Sequence, residues 1–357
     1  MNAFYFVIDD GLADIAGAQA FHLAQLWDCD VHIFIERNNK GIYPREVQCN
    51  QRIYYHYDKL MSSLPSGLPV SQRWPHIVYL RLFAPDFLKQ YNRVLYLDAD
   101  VHSMKKAPEI WTIDLPHGLG AVSECALIGL QSLESLNRVG VHSGRYFNSG
   151  VILIDVQKWD TTDIPSKLIH YFKEYPNSSC FDQDFLNSIL GGRWTELGPR
   201  FNYQARLFSV GLSRAISPVF VHFNSDEKPW YGWINDGVTT LDTRFIQLYK
   251  ELLENIGVSP SLYKRPNSVS LFKSIKAATR RVRSRCGIAS RKEKKSLLIS
   301  KERRIAALQF FQKQQNEISI DTSVVDPIFF DGRYVRSQFH FADDNNLTDY
   351  QMNVGDN

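Results

Sequence analysis

The first hundred residues alternate short apolar runs with a longer segment in which apolar residues recur every three or four positions. Residues 4–8 and 31–35 are short runs rich in aromatic and β-branched side chains, which predicts two buried strands. The order strand, helix, strand predicts a parallel, doubly wound α/β sheet. The residues that form the helical stripe between the two strands are Ile15, Ala16, Ala20, Leu23, Ala24 and Trp27.

The same patterning continues to about residue 257 and then stops. Further strands are predicted at 93–97, 118–123, 147–154 and 219–223, with helices near 76–90 and 181–190. We therefore expect three regions: an α/β domain at 1–257, a basic and helical segment at 258–316, and an acidic tail at 317–357.

Charge is distributed very unevenly along the chain. The net charge of +3 combines +13 in residues 264–304 with −5 in each of the segments 1–263 and 305–357. Within 269–285 apolar residues fall at helical spacing among the basic ones, which predicts an amphipathic helix that lies on an anionic membrane. Nucleic acid is a less favoured partner, because no recognised nucleic-acid-binding motif accompanies the basic residues. A solvated helix packed on the domain is the third alternative.

The cysteine content and the chain start bear on the compartment. The five cysteines are scattered without a CxxC pair, which argues against a disulfide framework or a zinc site and favours a reducing compartment. The first ten residues have no basic region, so we expect no signal peptide. No apolar run approaches the roughly 18 residues that a membrane span needs. We expect a cytoplasmic protein, peripheral at the inner face of the membrane.

Two acids follow the predicted strand at 93–97, in the sequence Asp98-Ala99-Asp100. In extended backbone, residues two apart point the same way, so both carboxylates could face one ion while Ala99 faces away. Paired carboxylates are hard ligands that suit Mn²⁺ or Mg²⁺, and such ions commonly hold a substrate diphosphate. An aspartate at a strand end more often caps a turn, so this pattern is informative only together with later segments.

Two of those segments carry polar residues that could bind a sugar. In Phe147-Asn148-Ser149-Gly150, the glycine would allow close backbone approach and Asn148 offers an amide for hydroxyl groups. Residues 180–187 place Asp182 and Gln183 at the start of a predicted helix. Each feature alone is typical of an ordinary turn or helix cap.

The last segment joins a histidine to a lysine. His222 ends a predicted strand, as a third metal ligand would, and Lys228 lies six residues further on, where it could reach a phosphate.

No GxGxxG sequence follows the first strand, so the ordinary dinucleotide fingerprint is absent.

In this order, the four segments resemble retaining glycosyltransferases of family 8, a group that includes bacterial lipooligosaccharide galactosyltransferases and glycogenin-like enzymes. YLDADV resembles the family's DxD segment, and FNSGVILIDVQKW its Asn-Ser-Gly segment. FDQDFLN resembles its Asp-Gln segment, and HFNSDEKPW its closing His-x-x-x-x-x-Lys-Pro-Trp. The resemblance spans roughly residues 3–250 and implies a Rossmann-like GT-A fold with a mainly parallel sheet.

The resemblance also implies roles for individual residues. Asp98, Asp100 and His222 would bind Mn²⁺, with Mg²⁺ as the alternative, and the donor would be a UDP-hexose. The implied donor-binding residues are Val7, Asp9, Arg81, Asp98, Ala99 and Lys228. The implied residues at the donor sugar and reaction centre are Asn148, Asp182 and Gln183.

Two departures from the family pattern concern the nucleotide. Gly11 stands where relatives often have Asn, and the Gly-bearing loop before Lys228 is replaced by Asn-Ser-Asp-Glu at 224–227.

The expected activity is metal-dependent, retaining transfer of galactose or glucose from a UDP-sugar to a lipopolysaccharide, lipooligosaccharide or other surface glycan. Gln183 is a neutral amide and a poor nucleophile, which favours front-face attack, with Asp182 as the alternative nucleophile. Other functional possibilities are a glycogenin-like self-glucosylating protein and a non-catalytic protein that binds sugar nucleotides or nucleic acid.

Overall fold

The computed structural model describes residues 1–263, with gaps at 49, 72–74, 125–132, 209–212, 226–227 and 232–242, together with residue 279. The predicted amphipathic helix around 269–285 and the acidic tail at 317–357 lie outside the described residues, and the boundary after 257 stays a prediction. Among the described helices, none combines the length and the apolar character needed to cross a bilayer.

Ten strands and eight α-helices lie in the described part of the chain. The strands are β1 (Asn2–Asp9), β2 (Asp30–Glu36), β3 (Ile53–Tyr57), β4 (Arg93–Leu97), β5 (Val101–Ser103), β6 (Leu119–Ser123), β7 (Phe147–Asp155), β8 (Thr195–Glu196), β9 (Tyr203–Gln204) and β10 (Phe220–His222). The helices are α1 (Ala13–Trp27), α2 (Ile77–Leu80), α3 (Leu133–Asn137), α4 (Ile164–Glu174), α5 (Phe181–Leu190), α6 (Ala205–Phe208), α7 (Ser213–Ile216) and α8 (Thr243–Asn255).

The strands form a large central sheet and a small second one. The large sheet has the order β3-β2-β1-β4-β7-β6-β8, and the small one β5-β10-β9. In the large sheet β7 is antiparallel to both neighbours, while the other neighbouring pairs are parallel. The predicted α/β class and mainly parallel sheet are therefore confirmed.

Buried apolar residues cover both faces of the large sheet. Alternation along β1 sends Tyr5 to one face, where α4 and α5 pack, and Phe4 and Phe6 to the other, where α1 packs. The parallel pairing of β1 with β4 runs both strands to the same edge. The residues that follow them, including Asp98, therefore lie at the carboxyl edge of the sheet, where open α/β sheets bind ligands.

The predicted strands all occur, but the helix predicted near 76–90 is wrong. That segment holds the single turn α2, a turn at 81–83 and a 3-10 helix at Ala84–Leu88. Pro85 lies at the start of the 3-10 helix, lacks an N–H, and disfavours α-helical backbone at the preceding residue, so a continuous helix cannot form. Strand β3 and helices α4 and α8 were not predicted.

Candidate active site

The four motif segments meet at the carboxyl end of β4. Asp98 follows this strand, and its N–H donates to the carbonyl of Gly150 at 2.9 Å. Antiparallel pairing of β5 with β10 sets Val101 opposite His222. The side chain of Asn187 in α5 accepts from the N–H of Phe147 at 2.8 Å and donates to its carbonyl at 3.0 Å. These contacts hold the ends of β4, β7, β10 and α5 together.

Asp98, Asp100 and His222 form a cluster of metal-ligand type, in which one ligand atom from each residue lies within 4.8 Å of the others. His222 Nε2 lies 3.6 Å from Asp98 Oδ2 and 3.2 Å from Asp100 Oδ1. The expected extended backbone is wrong, because β4 ends at Leu97 and a turn follows, closed by Val101 N–H and the Asp98 carbonyl at 2.9 Å. The turn, rather than strand alternation, presents both carboxylates.

Lys228 supplies a positive charge beside this cluster. Its ammonium donates to Asp100 Oδ2 and, at 2.6 Å, to the carbonyl of Phe223. Burial alone would raise the pKa of Asp100, but the positive charge of Lys228 holds it well below its ordinary value. The ammonium stands in for a cation at Asp100, and two carboxylates with one imidazole fit a divalent ion such as Mn²⁺.

Gly150 keeps the space between the ligands open. A Cβ at this position would lie 2.2 Å from His222 Cε1 and 2.8 Å from Asp98 Oδ2. The close backbone approach expected of this glycine is therefore an approach to the candidate metal ligands, and any side chain here would displace one of them.

Arg81 joins the candidate metal cluster to α5. Its guanidinium pairs with Asp98 Oδ1 at 2.9 Å and with Asp182 Oδ2 at 3.4 Å, and it lies over the ring of Tyr96 at 4.4 Å. Burial would lower the pKa of Arg81, but the two carboxylates outweigh burial and raise it above its ordinary value. Arg81 is a permanent buried cation here, and its contact with a donor stays a prediction.

The two aspartates in the first turn of α5 have different partners: Asp184 bonds the backbone ahead of the helix, and Asp182 contacts the candidate site. Asp184 Oδ2 accepts from the N–H groups of Ser179 and Cys180 at 3.1 and 3.0 Å, so it reaches back from the helix to fix the backbone that leads into it, as the acid of a capping box does. Asp182 Oδ2 instead accepts from the hydroxyl of Ser149 at 3.2 Å. Burial raises the pKa of Asp182 from its ordinary value of 3.8 to about 6, although Arg81 opposes the shift.

Asn148 lies at the centre of a buried network of amide and carboxylate groups. Its Nδ2 donates to Glu124 Oε2 at 2.9 Å and to Gln183 Oε1 at 3.3 Å. Gln183 Oε1 also accepts from the N–H of Ser149 at 2.9 Å, and its Nε2 donates to the hydroxyl of Tyr146 at 3.1 Å. The predicted sugar-site residues are therefore brought together, next to the candidate metal cluster.

Three residues of this network were not predicted, namely Glu124, Tyr146 and Asn202, whose Nδ2 donates to Asn148 Oδ1 at 2.9 Å. Glu124 directly follows the strand predicted at 118–123, so the strand-end signal that identified Asp98 would have found it. Asn202 lies between a 3-10 helix and the two-residue β9, where no sequence pattern distinguishes it from an ordinary loop residue.

The other predicted donor-binding residues, Asp9, Val7 and Ala99, make no described side-chain contact with the candidate metal cluster. Asp9 ends β1, and its carboxylate accepts from the backbone N–H groups of Gly11 and Leu12 while burial raises its pKa. A Cβ at Gly11 would lie 3.1 Å from Asp9 Oδ1, so the departure from the family's Asn leaves room for this turn. The side chains of Val7 and Ala99 are buried in the apolar clusters on opposite faces of the sheet.

An open cleft of about 450 Å³ lies beside the Asp9 turn. Its lining includes Asp10, Gly11, Asp14, Ile42, Arg45 and Val258.

The mixed sheet and the acids at its carboxyl edge define a GT-A glycosyltransferase fold, as similar solved structures show. Galactosyltransferase LgtC, in complex with donor and acceptor sugar analogs, is 20% identical, with a TM-score of 0.59 over 74% of this chain and 99% of that chain. The bifunctional glycosyltransferase WbbM is 17% identical, with a TM-score of 0.52 over 72% and 50%.

The family model "Glycosyl transferase family 8" matches residues 28–234, which is more than half of the chain, and the protein belongs to this family. General stress protein A of Bacillus subtilis is 33% identical over 43% of this chain and 58% of its own length. Lipopolysaccharide 1,3-galactosyltransferase of Salmonella typhimurium is 32% identical over 47% and 53%. The chain spans about half the length of the curated relatives it matches. The GT-A fold and the family that the four motifs predicted are thus confirmed.

Proposed function

We propose that this protein transfers glucose or galactose from a UDP-sugar to a lipopolysaccharide, lipooligosaccharide or other surface-glycan acceptor, with retention of anomeric configuration. Membership of family 8 supports glycosyl transfer, and relatives named lipopolysaccharide galactosyltransferase and glucosyltransferase support this acceptor class. The observation that carries the proposal is the cluster of Asp98, Asp100 and His222, with Lys228 beside it.

The cluster would hold Mn²⁺, with Mg²⁺ as the alternative. Two carboxylates and one imidazole are hard and borderline ligands that would hold such an ion, and the ion would supply positive charge to a substrate diphosphate. When bound, the ion acts as a Lewis acid toward the leaving diphosphate, an effect worth several kcal/mol. Lys228 would exchange Asp100 for the diphosphate and add a second positive charge there.

We favour front-face attack at the anomeric carbon. The bond from this carbon to the diphosphate oxygen breaks, and its electron pair stays on UDP. The acceptor oxygen bonds to the same face and passes its proton to the departing phosphate. Gln183 is a neutral amide hydrogen-bonded at both ends, which suits it to orient the sugar rather than attack it. Asp182 is the alternative nucleophile, and its ion pair with Arg81 would lower its nucleophilicity.

The test is UDP release from a panel of UDP-sugars, measured with Mn²⁺, with Mg²⁺ and after chelation. We expect release from UDP-glucose or UDP-galactose that depends on the ion and is lost in His222→Ala. Transfer of the sugar to the protein itself in place of an added glycan, detected as an increase in the protein's intact mass, would favour self-glucosylation. Absence of release and hydrolysis with every donor would contradict glycosyl transfer.

We also propose that the basic segment 264–304 holds the enzyme at an anionic membrane surface facing the cytoplasm. The support is its charge of +13 beside a domain of −5, since basic residues near anionic lipid contribute about 1 kcal/mol each.

A further inference from the structure

The side chain of Asn202 is fully buried and contacts His222 at Nδ1, the ring nitrogen that faces away from Asp98 and Asp100. Asn202 Oδ1 lies 3.0 Å from His222 Nδ1, and Asn202 Nδ2 donates to Asn148 Oδ1 at 2.9 Å. The exposed fraction is 0% for Asn202 and 2% for His222, so water does not compete for these bonds. The candidate metal ligand and the candidate sugar-binding amide are therefore connected by one side chain.

The orientation of both amides follows from a backbone group. The N–H of Gly150 can only donate, and it lies 3.0 Å from Asn148 Oδ1, while Asn148 Nδ2 faces the carboxylate of Glu124. The N–H of Gly150 and the carboxylate of Glu124 therefore fix the same orientation of the Asn148 amide. Because Asn148 Oδ1 can only accept, the group of Asn202 next to it must be its NH₂ group. The oxygen of Asn202 then faces His222.

This orientation selects one tautomer of His222. An oxygen at Nδ1 requires a proton on Nδ1, so in the neutral ring, the form that binds a metal, the lone pair of Nε2 is directed toward Asp98 and Asp100. With the proton on Nε2 instead, the ring would donate to these carboxylates and could not bind a cation between them. We infer that Asn202 is a positioning residue that fixes the metal-binding tautomer of His222 and couples it to Asn148. The inference rests on the proposed metal site.

Calorimetric Mn²⁺ binding to the full-length protein, measured in the presence of UDP, tests this role. Loss of a hydrogen-bond partner behind a metal-bound histidine typically costs 10- to 100-fold in metal affinity, so we expect a Kd about 10- to 100-fold weaker in Asn202→Ala. Asn202→Asp keeps an oxygen toward Nδ1, so its Kd should lie closer to that of the wild type than to that of Asn202→Ala.

Gln19→Ala is the matched control. Gln19 is an equally buried amide, and its Oε1 lies 3.1 Å from Nδ1 of His102, a histidine outside the candidate metal cluster. We expect it to lower the stability of the protein while the folded protein binds Mn²⁺ with the wild-type Kd.

The tautomer itself can be observed by ¹⁵N NMR of the imidazole nitrogens in the metal-free protein, at a pH where the His222 ring is neutral. The His222 signals, identified among the ten histidines by their loss in His222→Gln, should show a protonated Nδ1 in the wild type and a share of protonated Nε2 in Asn202→Ala. The wild-type spectrum is decisive even if Asn202→Ala does not fold.

A neutral ring protonated on Nε2 in the wild type, or a wild-type Kd in folded Asn202→Ala, would overturn the inference and leave the metal site standing. Failure of the wild type to bind Mn²⁺ in the presence of UDP would overturn the proposed metal site as well.

Discussion

The two ends of the candidate site are built from different chemistry. At one end Asp98, Asp100, Lys228 and Arg81 are charged, and their contacts are ion pairs. At the other end the amides of Asn148 and Gln183 are neutral, and each polar group has a specific hydrogen-bond partner. Charge decides what the first end binds, whereas direction and shape decide what the second end binds. Changes of charge should therefore act most strongly at the first end.

The largest effect is expected from Asp100→Asn, which keeps an oxygen but removes a negative charge from the first end. We expect kcat/KM for transfer to fall by roughly a thousandfold, because several kcal/mol of transition-state stabilisation depend on the ion. Asp98→Ala should be comparably severe, and His222→Ala should weaken Mn²⁺ and UDP binding together. UDP release at saturating Mn²⁺ measures the effect, and full activity of Asp100→Asn would contradict the assignment of the charged end.

Gly150→Ala tests the boundary between the two ends without changing any charge. The new Cβ would overlap His222 Cε1, so the imidazole must move and Mn²⁺ affinity should fall by about 10- to 100-fold. Gly41→Ala is the control, because a Cβ there would meet only Asn39 Oδ1, at 3.4 Å. Calorimetry with Mn²⁺ measures both variants, and equal affinity would show that the ligands tolerate a side chain at Gly150.

A smaller effect is expected from the pH dependence of stability. Because the pKa of Asp182 is raised to about 6, the folded state holds its proton more tightly than the unfolded state between about pH 4 and 6. This group therefore lowers the free energy of unfolding as the pH rises through that window. The lowered pKa of Asp100 has the opposite sign, and its stabilisation is lost only below about pH 4.

Asp182→Asn exchanges no proton, so its free energy of unfolding should decline less between pH 4.5 and 7, by up to about 2 kcal/mol. Urea unfolding at both pH values measures the difference. Asp163→Asn, which removes an exposed carboxylate ahead of α4, is the control. Parallel curves for Asp182→Asn and the wild type would show that Arg81 neutralises the cost of burying Asp182.

Removal of residues 264–357 is expected to have the smallest effect on the activity of the candidate site. We expect transfer to a soluble acceptor to be retained, while binding to anionic vesicles is lost. In the full chain that binding should weaken with salt, over a Debye length of about 10 Å at 0.1 M. Neutral vesicles are the control. An insoluble truncated protein without activity would show that the segment packs on the domain.

The sequence predicted the charged end better than the amide end. Asp98, Asp100 and His222 follow buried strands, and strand ends are visible as the places where apolar runs stop. The turn at Asp98–Val101 was not predicted, because its geometry depends on the bond to Gly150 rather than on local pattern.

The proposed role of Asn202 depends on its contacts with Asn148 and His222. These residues lie far apart in the sequence, so no local sequence pattern relates them. The helix expected near 76–90 does not form for a local reason, because Pro85 interrupts the segment whose apolar spacing predicts it.

The contact between Lys228 and Asp100 is expected to make the two proposed ligands cooperative. A divalent ion at Asp100 competes with the ammonium, which would then keep only the Phe223 carbonyl among its described partners. A diphosphate offers the displaced ammonium new anionic partners, so each ligand should increase the affinity for the other by the same factor. The protein is therefore expected to bind ion and sugar nucleotide weakly when they are offered singly and tightly when they are offered together.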